Sequence, residues 1–350
     1  MRRTTRVGLL GAAVLGAGML AASACGPAGF DPIGKLESVR VLAAQASEPY
    51  AKPGDTVTVT LDAFDARPAG GQAMKIYWLP ILCENPYNDL YYACFSSLVT
   101  PTSDGGVPGG DGGGASAFPA NVDITSFLAQ GPKHTFTMPA DVIATHPVVQ
   151  GLPEQYGMVI LFAMACAGRV RTLPIDPTSG NGQTVPLGCF DDQGNQLGPD
   201  DYVFTFMRVY AYANATNANP QIDGVVFDGQ PVDPNQGVVV DRCPTANPQG
   251  TDCEHPFNVN VPDSSWELAT GAPLDPDGTQ LHESIWADYY FTLDQIDSDV
   301  KLLFDARTGR VTGNDVNYIP PDTPGQGRLF VVLHDSRGGA SWVDFPVYVK

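Results

Sequence analysis

The sequence predicts an all-β protein made of two tandem immunoglobulin-like, antiparallel β-sandwiches that follow a lipoprotein signal peptide and a short tether. The chain combines 38 glycines and 31 prolines with only 16% charged residues. This composition suits many short strands joined by turns. No window carries a sustained apolar repeat of helical period with capping residues. The best helical candidates, 122–128 and 140–145, are each only about two turns long.

The N-terminus has the three-part layout of an export signal, which we assign to residues 1–24. Three arginines stand among the first residues, an apolar run rich in Ala and Gly covers 7–20, and Ala22, Ser23 and Ala24 precede Cys25. Small residues directly before a cysteine resemble the lipobox of bacterial lipoproteins, in which the cysteine is lipidated and begins the mature chain. The alternative is an ordinary cleavage site followed by a structural cysteine.

Lipidation of Cys25 predicts membrane attachment without a spanning helix, because each buried acyl methylene stabilises binding by about 0.8 kcal/mol. Residues 25–37 are then the lipidated cysteine and a flexible tether, since the prolines and glycines of this segment oppose helix and strand. Gly26, rather than Asp, follows the cysteine, which resembles lipoproteins sorted to the outer membrane. Whether the protein faces the periplasm or the cell surface stays open.

Six further cysteines are expected to form structural disulfides, because an exported chain meets an oxidising compartment. The sequence allows several connectivities, and we choose the sequential one because each neighbouring pair brackets a loop. Zinc is disfavoured, since no two cysteines stand two residues apart and only one has a histidine near it in sequence. The expected pairs are Cys83 with Cys94, Cys166 with Cys189, and Cys243 with Cys253.

The charge balance excludes one class of partner. The chain has 38 acidic residues against 19 Lys and Arg, for a net charge of −19. Such a surface repels phosphate backbones and anionic lipid headgroups. We therefore predict no nucleic-acid partner.

The first sandwich is predicted over residues 38–213. Its clearest strand is 56–63, where Val57, Val59 and Leu61 alternate with polar residues, so that one face is buried and the other faces solvent. A Gly-rich stretch at 102–117 is expected to be a loop. Further strands are expected at 38–42, 74–82, 89–98, 134–138, 156–164 and 201–212.

A linker over 214–220 leads to a second sandwich over 221–350. The linker is small, polar and unpatterned, and it ends in a proline. The cysteine signature of antibody domains is absent, because strand 56–63 carries no cysteine. Strands of the second sandwich are expected at 222–227, 257–261, 286–293, 300–304, 328–333 and 342–349.

Four stretches carry a resemblance to a known family. They are VRVLAAQASEPYAKPGDTVTVTLDAF at 39–64, the segment 77–94 with its two cysteines, NANPQIDG at 217–224, and RLFVVLHDSRGGASW at 328–342. On these motifs the chain resembles an uncharacterised lipoprotein family of myxobacteria and their relatives. The resemblance implies an envelope lipoprotein with Ig-like modules. It supplies no catalytic or binding residue.

No catalytic constellation is visible in the sequence, and we predict that the chain is not an enzyme. A Gly-x-Ser-x-Gly elbow is absent, and none of the five histidines has a second histidine at metalloprotease spacing. We predict no cofactor and no metal site. Acidic turns at 275–278 and 297–299 place carboxylates two residues apart, as calcium loops do, but lack the other EF-hand ligands. Calcium binding at these turns stays open.

The candidate ligand-binding residues are Tyr87, Tyr91 and Tyr92, which lie between the first two cysteines of the mature domain. A rigid aromatic loop can stack on sugar rings or anchor a protein; the alternative is that these rings face the core. We therefore predict a non-catalytic cell-envelope lipoprotein that acts as a surface interaction or scaffolding module. The alternative is a carbohydrate-binding lipoprotein that uses this loop. Expected partners are the membrane, through the lipid, and a protein or glycan of the envelope.

Overall fold

A computed structural model of the protein describes residues 33–69, 71–94, 121–174, 185–244, 253–293 and 295–350. Residues Gly34–Lys350 form one compact unit. The described chain is almost entirely β-structure, and its sheets form two sandwiches that follow one another along the sequence. The predicted fold class is therefore confirmed.

Among the described residues, the first half of the chain contains ten strands, one short helix and three 3₁₀ turns. The helix α1 covers Val142–Thr145, and the 3₁₀ turns cover Tyr87–Asp89, Tyr91–Cys94 and Thr125–Phe127. The strands are β1 (Val39–Ala46), β2 (Tyr50–Ala51), β3 (Thr56–Asp65), β4 (Lys75–Glu84), β5 (Ala129–Gln130), β6 (Lys133–Thr137), β7 (Tyr156–Cys166), β8 (Arg169–Thr172), β9 (Leu187–Phe190) and β10 (Tyr202–Tyr212).

Over its described residues, the second sandwich contains eleven strands and one 3₁₀ turn, Asp263–Ser265. The strands are β11 (Gly224–Phe227), β12 (Gln230–Pro231), β13 (Val238–Val240), β14 (His255–Asn260), β15 (Ile285–Phe291), β16 (Gln295–Ile296), β17 (Val300–Asp305), β18 (Gly309–Arg310), β19 (Val316–Ile319), β20 (Gly325–Asp335) and β21 (Ala340–Val349).

Two sheets enclose the core of the first sandwich. A three-stranded sheet, β1-β3-β6, packs on a five-stranded sheet, β2-β10-β7-β4-β5. The pairs are antiparallel except for the short edge strand β2, which runs parallel to β10. In β3, Val57, Val59 and Leu61 are buried between the sheets and the intervening threonines are more exposed. The alternation read from the sequence therefore identified the buried face correctly.

The second sandwich pairs a five-stranded sheet, β12-β11-β14-β19-β16, with a six-stranded sheet, β13-β21-β20-β15-β17-β18. Its core includes Phe257, Tyr289 and Phe345, each at most 1% exposed. The rings of Phe257 and Tyr289 meet edge to face, with centroids 5.4 Å apart. A small separate sheet, β8-β9, belongs to the first half of the chain.

An apolar interface joins the two sandwiches. Leu42 and Ala43 of β1 pack in one cluster with Phe330 and Val332 of β20, and Phe64 packs against that cluster. The Phe64 and Phe330 rings lie edge to face at 4.9 Å. Because residues of both sandwiches are buried here, the relative position of the sandwiches is set by packing as well as by the chain connection.

The end of the predicted tether takes part in this junction. Leu36 is 3% exposed; its backbone N–H donates to the carbonyl of Phe291, and the N–H of Phe291 donates to the carbonyl of Gly34. A side chain at Gly34 would stand 2.5 Å from the carbonyl oxygen of Tyr289. Residues 34–36 are therefore part of the fold, whereas residues 25–32 of the predicted tether lie outside the described residues.

The predicted strand at 89–98 is wrong over its described part. Residues 87–94 form two 3₁₀ turns, because Asn88 and Asp89 have φ of 53° and 58°, whereas a β-ladder needs negative φ. Residues 95–98 lie outside the described residues, as does the Gly-rich stretch at 102–117. The two helical candidates contain only the 3₁₀ turn at Thr125–Phe127 and the single turn of α1.

Candidate functional site

Strand β10 carries an aromatic face directed away from the core of the first sandwich. Side chains of a strand alternate between its two faces, and Val203, Met207, Val209 and Ala211 belong to the core between the two sheets. The opposite face presents a row of five rings and one cation, namely Tyr202, Phe204, Phe206, Arg208, Tyr210 and Tyr212.

A layer of loops covers the first part of this face. The disulfide loop, residues 83–94, belongs to it, and Tyr91 of this loop stacks on Phe206 with centroids 4.3 Å apart and planes 12° apart. Strand β7, next to β10, is buried on both faces from Gly157 to Cys166, because the loop layer covers its second face. The disulfide loop therefore supports the sheet from outside.

Beyond Phe206 the aromatic face opens into a cleft of about 830 Å³ between the two sandwiches. This volume lies within the range of small-ligand sites. The wall formed by the first sandwich includes Tyr50, Tyr156, Phe206, Arg208, Tyr210 and Tyr212. The wall formed by the second sandwich includes Ala269, Pro273, Leu281, His282, Ser336 and Arg337.

Four tyrosines of the first wall form one cluster. The rings of Tyr50 and Tyr212 lie 4.5 Å apart, and those of Tyr156 and Tyr210 lie 5.6 Å apart and nearly perpendicular. Burial raises the pKa of all four phenols above the usual value. The cluster therefore presents neutral hydroxyls and apolar ring surface at physiological pH.

Asp89 connects the disulfide loop to this wall. The Tyr156 hydroxyl donates to one carboxylate oxygen of Asp89, and Nε2 of His146 lies 2.9 Å from the other. Nη2 of Arg208 donates to the backbone carbonyl of Asp89 at 3.3 Å. His146 also lies 2.8 Å from the carbonyl of Pro147 through Nδ1. These bonds hold the 3₁₀ turn of the disulfide loop against the tyrosine cluster.

Arg337 is the centre of a buried polar network on the opposite wall. Its Nε donates to Glu283 at 2.7 Å, Nη2 donates to Glu267 at 3.0 Å, and Nη1 donates to the carbonyl of Thr216 at 2.7 Å. The guanidinium also lies over the Tyr50 ring at 5.5 Å. Glu283 is 0% exposed, and burial raises the pKa of its carboxyl to about 7. Arg337 therefore links the second sandwich to the linker and to the tyrosine cluster.

The segment predicted as a linker is bonded to both sandwiches. The Asn219 side chain donates to the carbonyl of Ala46 at 2.8 Å and accepts the N–H of Ala340 at 3.0 Å. The Ser341 hydroxyl donates to the carbonyl of Pro220 at 2.6 Å. Together with the apolar interface, these bonds hold the two walls of the cleft in a defined position. The division into domains at 214–220 stays a prediction.

His282 is the remaining ionisable side chain named in the second wall. Its ring stacks on Trp266 with centroids 3.7 Å apart, and Nδ1 lies 2.8 Å from the carbonyl of Trp266. Because a carbonyl can only accept, Nδ1 carries the proton in the neutral ring. Of the other four histidines, His146 lies beside the first wall, against Asp89. The remaining three lie elsewhere in the fold: His134 stacks on Trp78, His255 pairs with Asp228, and His334 pairs with Asp288.

The predicted binding residues do not form a shared platform. Tyr87 is 77% exposed, whereas Tyr91 and Tyr92 are half-buried, pack against the core under the loop layer and contact each other edge to face. None of the three lines the cleft. Their contribution to binding stays a prediction, and Tyr91 contacts the cleft wall through Phe206.

The described cysteines form the disulfides Cys83–Cys94, Cys166–Cys189 and Cys243–Cys253. This is the sequential pairing that the loops favoured. Disulfides persist in oxidising compartments, so the folded protein is an exported one. Cys25, the predicted lipidation site, lies outside the described residues. In the part of the chain that the structure describes, no helix is long and apolar enough to cross a membrane.

The acidic turns are engaged in local contacts. Arg307 pairs with Asp275 and Asp277, and Asp297 accepts the side-chain amide and the backbone N–H of Asn317, both at 2.9 Å. Among the described residues, no three or more His, Cys, Asp or Glu side chains are grouped so that they could hold a metal ion.

Sequence reasoning missed the cleft. The sequence predicts a strand at 201–212, and its alternation also contains a second signal. Rings and one arginine occupy every second position from Phe204 to Tyr212. If the outer face of this strand were exposed to solvent, polar residues would be expected at these positions. The row of rings therefore indicates that the outer face is covered or binds a ligand. No sequence signal places Tyr50 or Arg337 beside it.

Comparisons with known proteins identify no family. No family model matches the chain, and no curated protein matches it. Among solved structures, dimeric latent PorU from Porphyromonas gingivalis is 11% identical with a TM-score of 0.19, and the alignment covers 90% of this chain and 24% of that one. A Salmonella alpha-2-macroglobulin variant is 12% identical with a TM-score of 0.23, and the alignment covers 90% of this chain and 17% of that one.

Three N-terminal domains of the Highly Immunogenic Outer Capsid protein of bacteriophage RB49 are 8% identical, with a TM-score of 0.19. The alignment covers 89% of this chain and 99% of that one. This chain thus spans 24% or less of the length of the first two structures. TM-scores and identities this low carry no argument about function. The description of the protein as two β-sandwiches with an aromatic cleft between them rests on its own sheets and contacts.

Proposed function

We propose that the protein is an exported, lipid-anchored module of the cell envelope that recognises a saccharide in the cleft without transforming it. The observation that carries the proposal is the aromatic row of β10, which forms one wall of a cleft of about 830 Å³ between the two sandwiches. Aromatic rings provide large apolar surfaces with a polar edge. Such surfaces suit sugar rings, which combine C–H faces with hydroxyl edges.

The rigidity of the walls supports recognition by a preformed site. The Arg337 network, the bonds of Asn219 and the edge-to-face contact of Phe64 with Phe330 hold the walls together. A preformed site loses less conformational entropy when it binds. In this proposal the disulfide loop supports the cleft wall through Tyr91 and Asp89, instead of being the binding platform itself.

The state of the ionisable groups supports binding more than chemistry. Arg337 is engaged with Glu283, Glu267 and a backbone carbonyl. The tyrosines are neutral at physiological pH, and burial raises their pKa further above it. A general base needs a basic acceptor within reach of a substrate proton, and neither an arginine nor a neutral tyrosine supplies one.

The proposed anchor is Cys25. All six other cysteines are paired with one another, which leaves Cys25 as the odd cysteine of the chain. Expression with a radioactive fatty acid tests this directly. We expect label in the wild-type protein and its recovery with outer membranes, and neither with Cys25→Ser. An unlabelled wild-type protein would contradict lipidation.

A glycan array probed with the purified, processed protein tests recognition, with Tyr210→Ala as the cleft variant. We expect binding by the wild type and a loss of about tenfold or more in Tyr210→Ala, as for a central aromatic contact. Tyr87→Ala is the matched control, because Tyr87 is exposed and lies outside the cleft. Loss of binding in Tyr87→Ala alone would move the site to the disulfide loop. Absence of glycan binding by the wild type would contradict saccharide recognition.

A further inference from the structure

The charge of the cleft differs from that of the whole chain. The chain has 38 acidic residues and 19 Lys and Arg. The described residues that line the cleft include Arg208, Arg337 and His282 but no Asp or Glu. A cleft without lining carboxylates in a strongly acidic protein is a site where an anionic ligand meets less repulsion than elsewhere.

The two arginines of the cleft are in different states. Arg337 is 7% exposed and already binds two carboxylates, those of Glu283 and Glu267. Arg208 is half-buried, and no carboxylate of the described residues lies within ion-pair distance of it. Its one hydrogen bond among those residues goes to the backbone carbonyl of Asp89, at 3.3 Å. A guanidinium has five N–H donors, so most donors of Arg208 remain for a ligand.

The wall of the cleft holds the Arg208 guanidinium in position. It lies over the Phe206 ring at 5.0 Å, and Tyr91 stacks on the same ring at 4.3 Å. The hydrogen bond to the carbonyl of Asp89 fixes one nitrogen of the Arg208 guanidinium. The disulfide Cys83–Cys94 closes the loop that carries Asp89 and Tyr91. An arginine held in this way loses less side-chain entropy when it binds a carboxylate.

The neighbours of Arg208 supply the sugar-binding surface. Side chains two residues apart on one face of a strand are separated by about 7 Å, so Arg208 lies between Phe206 and Tyr210 in the row. Tyr156, on the adjacent strand, contacts Tyr210 edge to face at 5.6 Å. A carboxylate held by Arg208 would therefore place the ring that carries it beside aromatic surface.

We propose that the cleft selects an acidic saccharide, one whose sugar rings carry carboxylates, and that Arg208 binds the carboxylate. This inference rests on the proposed function and names its ligand class. Arginine pairs with carboxylates through charge-assisted, often bidentate hydrogen bonds, which are stronger than neutral ones. Tyr210, Tyr156 and the other cleft tyrosines contribute to any saccharide, whereas Arg208 distinguishes the charged ones.

The test is calorimetric titration of the purified, processed protein with oligogalacturonate and with the neutral galactose oligomer of equal length. We expect the wild type to bind the acidic oligomer about tenfold to a hundredfold more tightly. Arg208→Met should bind the acidic and the neutral oligomer with equal affinity, because the variant has lost the group that distinguishes them. Arg208→Lys, which keeps the charge and loses the planar fork, should fall between the wild type and Arg208→Met.

Arg171→Met is the matched control, since Arg171 also lies over a ring, that of Phe190 at 5.2 Å, but does not line the cleft. Equal affinity of the wild type for both oligomers, with both lost in Tyr210→Ala, would overturn the charge selection and leave the proposed function standing. Absence of binding to either would overturn both. Equally tight binding of polyglutamate would overturn the saccharide class and indicate an acidic peptide ligand. Circular dichroism of each variant confirms that it is folded.

Discussion

Substitution of Glu283 by Gln tests whether the junction beside the cleft has been understood. The Glu283 side chain is 0% exposed, and burial raises the pKa of its carboxyl from 4.5 to about 7 in the folded protein. In the unfolded chain the carboxyl titrates near its ordinary value. Between these two pH values the folded state retains a proton that the unfolded state has lost, so protonation stabilises the fold.

The magnitude follows from the difference in pKa. One unit corresponds to about 1.4 kcal/mol, so the shift of Glu283 from 4.5 to about 7 amounts to about 3 kcal/mol. This stabilisation is fully present below pH 4.5 and is lost as the pH rises through about 7. The free energy of unfolding of the wild type should therefore fall over this range by about that amount through Glu283.

Urea denaturation followed by tryptophan fluorescence at several pH values between 4.5 and 8 measures this dependence. Glu283→Gln keeps the side-chain shape and cannot titrate, so this part of the pH dependence should disappear in the variant. Asp62→Asn is the matched control. Burial raises the pKa of Asp62 to about 6. In Asp62→Asn, the pH dependence of the unfolding free energy that is due to Asp62 should disappear, while the dependence due to Glu283 remains. Parallel curves for the wild type and Glu283→Gln would refute the reasoning.

Two further substitutions test the parts that hold the cleft. Phe330→Ala removes a ring that is 4% exposed and contacts Phe64 at 4.9 Å; we expect a loss of about 3 to 5 kcal/mol in urea denaturation. It should also weaken saccharide binding although Phe330 does not line the cleft, and unchanged affinity would show that the interface does not position the walls. Replacement of Cys83 and Cys94 by Ala removes the disulfide of the loop and should cost about 2 to 4 kcal/mol. Because this loop carries Asp89, calorimetry should also show weaker binding of the acidic oligomer than the wild type shows, whereas equal binding would separate the loop from the site.

The sequence alone predicted the structure correctly where a local pattern of residues has one physical cause. In β3, alternation of valines with threonines identified the face that packs against the second sheet. The close spacing of neighbouring cysteines favoured the pairing that the structure has, because short loops bring their ends together most readily. The scarcity of helical periodicity agreed with a chain in which α1 is the only α-helix among the described residues.

Local patterns failed where backbone conformation depended on surroundings. Residues 89–94 read as a strand because they are rich in aromatic residues, which favour strands in general. In the fold, Asn88 and Asp89 take positive φ, and the Asp89 carboxylate is held by Tyr156 and His146 from outside the loop. The sequence of residues 89–94 alone gives no information about Tyr156 and His146, which are distant in the chain.

The sequence by itself determined that this is an exported, disulfide-bonded protein of two β-sandwiches, since composition, alternation and cysteine spacing are local properties of the chain. Only the tertiary structure decided where a ligand can bind. The cleft brings Tyr50, Tyr156 and Tyr210 of one sandwich to Arg337 of the other, and these residues are far apart in sequence. Their proximity results from the packing of β1 on β20 and β21, an interaction between surfaces whose fit no single segment encodes.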